Sequence, residues 1–187
     1  MKKKLSEIAN IQFGLYSNDF LVKGEVKYVQ AKHFDQDVNF TPDEINYLSI
    51  DKKNESHILT DGDILFVGKG MRNFAWTYRK EYGLSIASSI FYVIRVCQTN
   101  VLPDYLTILF NSPFYQNAFQ QLGAGSSIPS IRKSELEVLM INVPSLEVQN
   151  NIVEMNSMYL YDLDISNRII EEKKKLFTSV LNKLIIQ

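Results

Sequence analysis

Residues 125–153 read GSSIPSIRKSELEVLMINVPSLEVQNNIV, and this run decides the fold. A small-residue turn, Gly123 to Ser127, leads into Ile128-Pro129-Ser130-Ile131. Lys133 to Leu139 is a short amphipathic stretch, and Met140-Ile141-Asn142-Val143 is an apolar, strand-like run. Pro144-Ser145 then opens a long helix. Ser145 is a good N-cap, and Glu147 in the first turn suits the helix dipole. From Val148 a stripe steps by threes and fours through Ile152, Met155, Tyr159, Leu163, Ser166, Ile170, Lys173, Phe177, Leu181 and Leu184. Its mean step is that of an ordinary helical face, not of a strict heptad seam. No Pro or Gly follows Pro144. Such a helix, Ser145 to Leu184, spans roughly 60 Å, more than a domain of this size can cover. A partner helix is therefore expected along Ile152, Met155, Tyr159, Leu163, Ile170, Phe177, Leu181 and Leu184. The two polar breaks, Ser166 and Lys173, either fix register or mark an exposed section.

Upstream, strands dominate. Lys4 to Phe13 has mixed character and ends at Gly14, and Lys27-Tyr28-Val29-Gln30 reads as a short strand. Thr41-Pro42-Asp43-Glu44 offers a cap and a Pro for a helix start. Asp61-Gly62-Asp63 is a tight turn before a buried strand, Ile64 to Val67, which enters the loop Gly68-Lys69-Gly70. Trp76 to Tyr82 is a further candidate strand, and Ser89 to Val96 is the strongest. Pro103 to Gln121 has helical periodicity. Strands first and helices later give the α+β class: a globular mixed sheet and helix domain over residues 1–143, then a long pairing helix over 144–187.

The 187 residues are 45% hydrophobic and 12% aromatic, ample for a real core. The one cysteine, Cys97, cannot form an internal disulfide, and no apolar run approaches bilayer length. The basic start, Met1 to Lys4, lacks a signal-peptide apolar core, so a cytoplasmic protein is expected. The net charge of −1 does not advertise nucleic-acid binding, but its distribution is uneven. Eight acids against two lysines lie between His33 and Asp63, and five bases against one acid between Ile64 and Val96. One basic face can steer a polyanion while the whole molecule stays near neutral.

Catalytic motifs are weak. Asn111-Ser112-Pro113-Phe114 superficially resembles the Asn-Pro-Pro-Tyr/Phe box of adenine methyltransferases, but one Pro is missing and no glycine-rich cofactor turn accompanies it. Gly68-Lys69-Gly70 lacks phosphate-loop spacing. Two histidines and one cysteine give no credible metal cluster. No enzyme activity, cofactor or metal is expected. Binding chemistry is richer. Lys69, Arg72 and Asn73 follow a buried strand, with Tyr78, Arg79 and Lys80 soon after. Lys and Arg neutralise phosphates, while Arg and Asn pair with guanine and adenine edges. Ser126, Ser127 and Ser130 add short donors beside the glycine turn. Tyr16, Ser17 and Asn18 form a second candidate loop.

The order of these parts resembles the type I restriction-modification specificity (S) subunits. The run at residues 125–153 is similar to the segment closing their target-recognition domain. Leu5-Ser6-Glu7-Ile8-Ala9 with Gly14, Leu59 to Leu65, Leu102 to Leu106 and Leu109-Phe110-Asn111-Ser112 fall in matching order. Full-length members carry two recognition domains and two long helices, so this chain resembles a half subunit. The resemblance implies double-stranded DNA as ligand and a homodimer reading an interrupted site. It also implies docking of methyltransferase subunits, which carry the S-adenosylmethionine, and a restriction subunit that joins them. The rival expectation is a non-enzymatic helical-stalk protein-interaction module without DNA specificity.

Overall fold

The computed structural model describes residues 1–41, 44–52, 54–123 and 129–185. The chain divides into two units, Met1–Gln149 and Asn150–Gln187. The first holds β1 (Lys2–Lys4), α1 (Leu5–Ile8), β2 (Ala9–Phe13), β3 (Val26–Val29), β4 (Asn46–Leu48), β5 (Ile64–Val67), β6 (Ala75–Thr77), β7 (Ser85–Ala87) and β8 (Phe91–Val96). It continues with α2 (Pro103–Asn111), α3 (Pro113–Gly123), α4 (Lys133–Glu137) and β9 (Met140–Asn142), and α5 (Leu146–Ile185) follows. The class is α+β with a long C-terminal helix, as expected.

A four-stranded antiparallel sheet in the order β2-β8-β5-β6 forms the centre. All four residues of β5 are buried, because both faces of the sheet are covered. Leu65 and Val67 point into a cluster with Val29, Phe34, Phe74, Phe91 and Val93. On the other face Phe66 meets Phe110 of α2 and Phe119 of α3, with ring centroids 5.5 and 4.7 Å apart. A second sheet, β4-β3-β7, pairs β3 with β4 antiparallel and with β7 parallel. The open edge of β6 is completed by a side chain. Asn111 accepts from the Ala75 N–H at 2.9 Å and donates to the Ala75 carbonyl at 2.8 Å. Its amide thus stands in for a neighbouring strand, a structural role, and protects an edge that would otherwise be sticky.

Three expectations change in contact with tertiary structure. The helix start expected at Thr41 to Glu44 falls partly on Pro42 and Asp43, which lie outside the described residues; beyond them Glu44 has φ 56 and Asn46–Leu48 is a strand, so the residues described there are not helical. The strand expected from Trp76 to Tyr82 is only Ala75–Thr77, because Tyr78 and Lys80 turn back to bond the Asp61–Asp63 turn. The helix expected over Pro103–Gln121 breaks at Ser112, where Pro113 starts a second one.

Two polar locks position what matters for function. Gln149, fully buried, accepts the Leu102 N–H at 2.9 Å and donates to the Asn100 and Pro144 carbonyls at 2.8 and 3.0 Å. It ties the first turns of α5 to the loop before α2. Tyr92 of β8 lies under Gly68 and donates its hydroxyl to the Ile131 carbonyl at 2.8 Å. A Cβ on Gly68 would sit 2.4 Å from the Tyr92 ring, so only glycine lets the loop lie that close.

Replacing Gln149 with Leu should destabilise the chain by about 1–3 kcal/mol, since the Leu102 N–H and two carbonyls lose their partners. Gly68→Ala should cost about 1–3 kcal/mol by overpacking against Tyr92. Denaturant midpoints at constant slope test both, and an unchanged midpoint for either would refute its lock.

Candidate nucleic-acid interface

The ends of β5 decide which candidate residues meet. At one end Val67 pairs with Phe91 and Phe13 pairs with Tyr92, so the loops after β2 and β5 emerge together. The Gly68–Asn73 loop is then zipped to the segment after α3. Lys69 and Ser130 form a β-bridge, Ile131 N–H donates to the Gly68 carbonyl and Gly70 N–H to the Pro129 carbonyl, each at 2.9 Å. Gly70 has φ 106, a backbone region that L side chains rarely adopt. Ser126 and Ser127 lie outside the described residues. The loop of Tyr16, Ser17 and Asn18 leaves from the same end, held where Gly14 N–H donates to the Phe91 carbonyl and Leu15 N–H to the Ala87 carbonyl.

Lys69 is exposed with no side-chain partner among the described residues, while Asn73 donates its amide to the Val67 carbonyl at 2.8 Å. Arg72 is exposed, yet it donates to the Asp35 and Gln36 carbonyls, both at 2.7 Å, and its guanidinium lies 4.9 Å above the Phe74 ring. Arg132, two residues past Ser130, is exposed on the same stretch. The only trace of it in the sequence is its place in the SIRKSE run.

Tyr78, Arg79 and Lys80 sit at the opposite end of the β5–β6 hairpin, beside Asp61–Asp63. The register puts them there, because Ile64 pairs with Thr77 and Tyr78 N–H donates to the Asp63 carbonyl. Tyr78 is a core side chain: its hydroxyl donates to the Gly83 carbonyl at 2.7 Å, and burial raises its pKa. Arg79 is ion-paired with Asp104, and Lys80 N–H is accepted by the Asp61 carboxylate. Asp63, itself buried, accepts two bonds from Arg95 at 2.7 and 2.6 Å and one from the Thr60 N–H. That bidentate grip holds the Arg95 pKa above its usual value. Of five bases between Ile64 and Val96, three arginines thus serve internal bonds. Lys69 and Lys80 remain without side-chain partners among the described residues.

The second surface is α5. Every residue from Ser157 to Ile185 is exposed. Of the pairing stripe, Met155, Tyr159, Leu163, Ile170, Phe177, Leu181 and Leu184 are large exposed apolar side chains, and Ile152 is half-buried. Met158, Ile165, Ile169, Leu176 and Val180 form a second exposed row. At 100° per residue it runs roughly 90° around the axis from the first. Following a single stripe along the sequence does not bring that row to light. Salt bridges of the i,i+3 and i,i+4 kind, such as Lys174–Glu171, Lys175–Glu172 and Arg168–Asp164, support the helix elsewhere.

Among the described residues no group of three or more His, Cys, Asp or Glu is placed to hold a metal ion. None of the described helices is long and apolar enough to cross a membrane.

Comparisons with known proteins fit this geometry. The chain is 29% identical over 72 residues to the Type I restriction enzyme StySPI specificity subunit of Salmonella potsdam, a match covering 38% of this chain and 16% of that protein. The solved HsdS subunit from Thermoanaerobacter tengcongensis is similar over 88% of this chain and 38% of its own length, with TM-score 0.64 and 16% identity. The type I S subunit from M. genitalium is similar over 94% of this chain and 42% of its own, with TM-score 0.59 and 16% identity. At such identity the likeness is one of fold, and the chain spans less than half the length of each. The family model described as the type I restriction modification DNA specificity domain matches residues 1–175. That match covers both the central sheet and most of α5, and by it the chain belongs to the type I restriction-modification DNA specificity family.

Proposed function

We propose that this chain is the sequence-recognition subunit of a type I restriction-modification system, with residues 1–143 reading DNA and residues 144–187 as a pairing and spacing helix. Two rows of exposed apolar side chains on α5 carry the reading, since such a surface marks an interaction site. The row Ile152, Met155, Tyr159, Leu163, Ile170, Phe177, Leu181 and Leu184 pairs with the same helix of a second copy. A second row about a quarter-turn away suits a further neighbour, because a two-helix seam needs only one narrow stripe. Methyltransferase subunits occupy it, bringing S-adenosylmethionine, and a restriction subunit joins that assembly. The chain itself recognises and does not catalyse, and it works in the cytoplasm.

Two-fold pairing sets two recognition domains at a fixed separation, so a homodimer reads an interrupted palindrome. On each domain the loops at the Gly68 end face DNA, with Lys69 and Arg132 on phosphates and Asn73, Ser130 and the Tyr16–Asn18 loop nearby. Tyr78 and Lys80 brace the Asp61–Asp63 turn through their backbone instead, and Arg79 pairs with Asp104 of α2. One observation favours the rival, a head that binds protein: Arg72, Arg79 and Arg95 are all engaged within the chain, and its net charge is −1.

Placing Glu at both Leu163 and Ile170 should convert a dimer into a monomer in light scattering at micromolar concentration. A monomeric wild type would overturn the pairing. Duplex binding by the chain with its methyltransferase subunit should weaken with salt, with a slope of about −0.9 per neutralised phosphate. Salt-insensitive binding, or none, would favour the protein-interaction head.

A further inference from the structure

We propose that Arg72 is a positioning residue, and that the loop it holds, Asp35 to Asn39, reads bases through Gln36 and Asp37. This rests on the DNA-recognition reading above. The guanidinium bridges two successive carbonyls, of Asp35 and Gln36, both at 2.7 Å. It lies 4.9 Å over the Phe74 ring, which packs tilted at 5.2 Å against Phe34, the residue before the loop. Arg72 therefore joins the Asp35–Asn39 loop to the Gly68–Asn73 loop, which is itself zipped to Pro129–Ile131. Three segments far apart in sequence become one surface.

The held loop is rigid by construction. The Asp35 carboxylate accepts the Asp37 and Asn39 N–H groups at 2.9 and 2.8 Å and the Asn39 amide at 3.0 Å. Asp35 N–H donates to the Asn39 carbonyl, and Val38 N–H to the Asp35 carbonyl. Val38 has φ 65, a left-handed conformation unfavourable for a β-branched residue, which only an over-determined loop keeps. Asp35 and Asn39 serve the loop itself. Gln36 and Asp37 are left exposed, with no side-chain partner among the described residues. Their chemistry differs from the basic residues nearby. A glutamine amide pairs bidentately with adenine, and a carboxylate accepts from the cytosine amino group. Phosphates repel Asp37, so in a complex its carboxylate suits a base edge that presents that donor and not the DNA backbone. A pre-ordered loop binds without paying to become ordered.

The test uses the full chain with its methyltransferase subunit and a duplex pool with randomised positions. The selected duplex and its single-base variants are then titrated over a salt series. Arg72→Ala and Gln36→Ala should each lose about tenfold discrimination at the same base position. The salt slope should stay unchanged, and the double variant should be no worse than Arg72→Ala. Arg72→Lys should not rescue, since an ammonium is a point donor without the planar fork. A salt slope reduced by about one, with discrimination intact, would make Arg72 a phosphate contact and sink the proposal. Loss at a base position that Gln36→Ala leaves untouched would make Arg72 a direct reader, which overturns the positioning role equally. The Gln36 side chain is exposed and has no partner among the described residues, so its variant keeps the carbonyl that Arg72 holds and folds whatever becomes of Arg72→Ala; full discrimination by that variant also refutes the idea. A wild type that selects no sequence at all overturns the DNA-recognition reading itself.

Discussion

Everything in the first unit is placed by the burial of β5 on both faces. Phe66 is held by helix rings on one side, while Leu65 and Val67 enter the aromatic cluster on the other. A strand fixed from two sides cannot slip, because moving by one residue would exchange its faces. Its two ends therefore become fixed platforms. One carries the turn built on Asp63 and Arg95; the other carries Gly68, Lys69 and the segment around Ser130. The candidate nucleic-acid interface is the second platform.

Several polar side chains of the first unit hold backbone. Tyr92 reaches the Ile131 carbonyl, Asn111 completes the edge of β6, Gln149 joins two loops and Arg72 bridges two carbonyls. Each satisfies groups that would otherwise be unpaired, and each thereby fixes a loop. The consequence for function is pre-organisation: loops that would otherwise wander are set before any ligand arrives. Arg79 and Arg95 are engaged as well, each on a carboxylate, so counting basic residues overstates the charge available to a polyanion. Lys69, which stays available, lies on a loop, where contact residues can vary without disturbing the sheet beneath them.

Much of the frame was legible from local pattern. Apolar runs at Ile64–Val67 and Phe91–Val96 became central strands, and the uninterrupted periodicity after Ser145 became a helix of 40 residues. The resemblance to S subunits, read from short motifs in order, matches the family found over residues 1–175. The candidate site was only half legible. Lys69 and Ser130 were both named from chemistry, and the structure joins them directly. Tyr78 stands among basic residues in the sequence, but just past the end of β6 the chain turns back to the Asp61–Asp63 turn and its side chain is buried. The Asp35–Asn39 loop gave no signal, since an acidic turn-rich stretch reads as solvated surface.

What the amino-acid order determined by itself is what periodicity and turn chemistry can carry: the class, the long helix, its apolar face and the positions of the loops. Which loops meet was decided by strand register and by single long-range bonds. Lys2–Lys4 pairs with Met140–Asn142, Gly68 meets Pro129–Ile131, and Arg72 reaches Asp35 and Gln36. No local propensity encodes such pairings, because each ends on a backbone carbonyl, a group that every residue shares. Only the packed sheet, with its faces filled, selects the one register that satisfies them all.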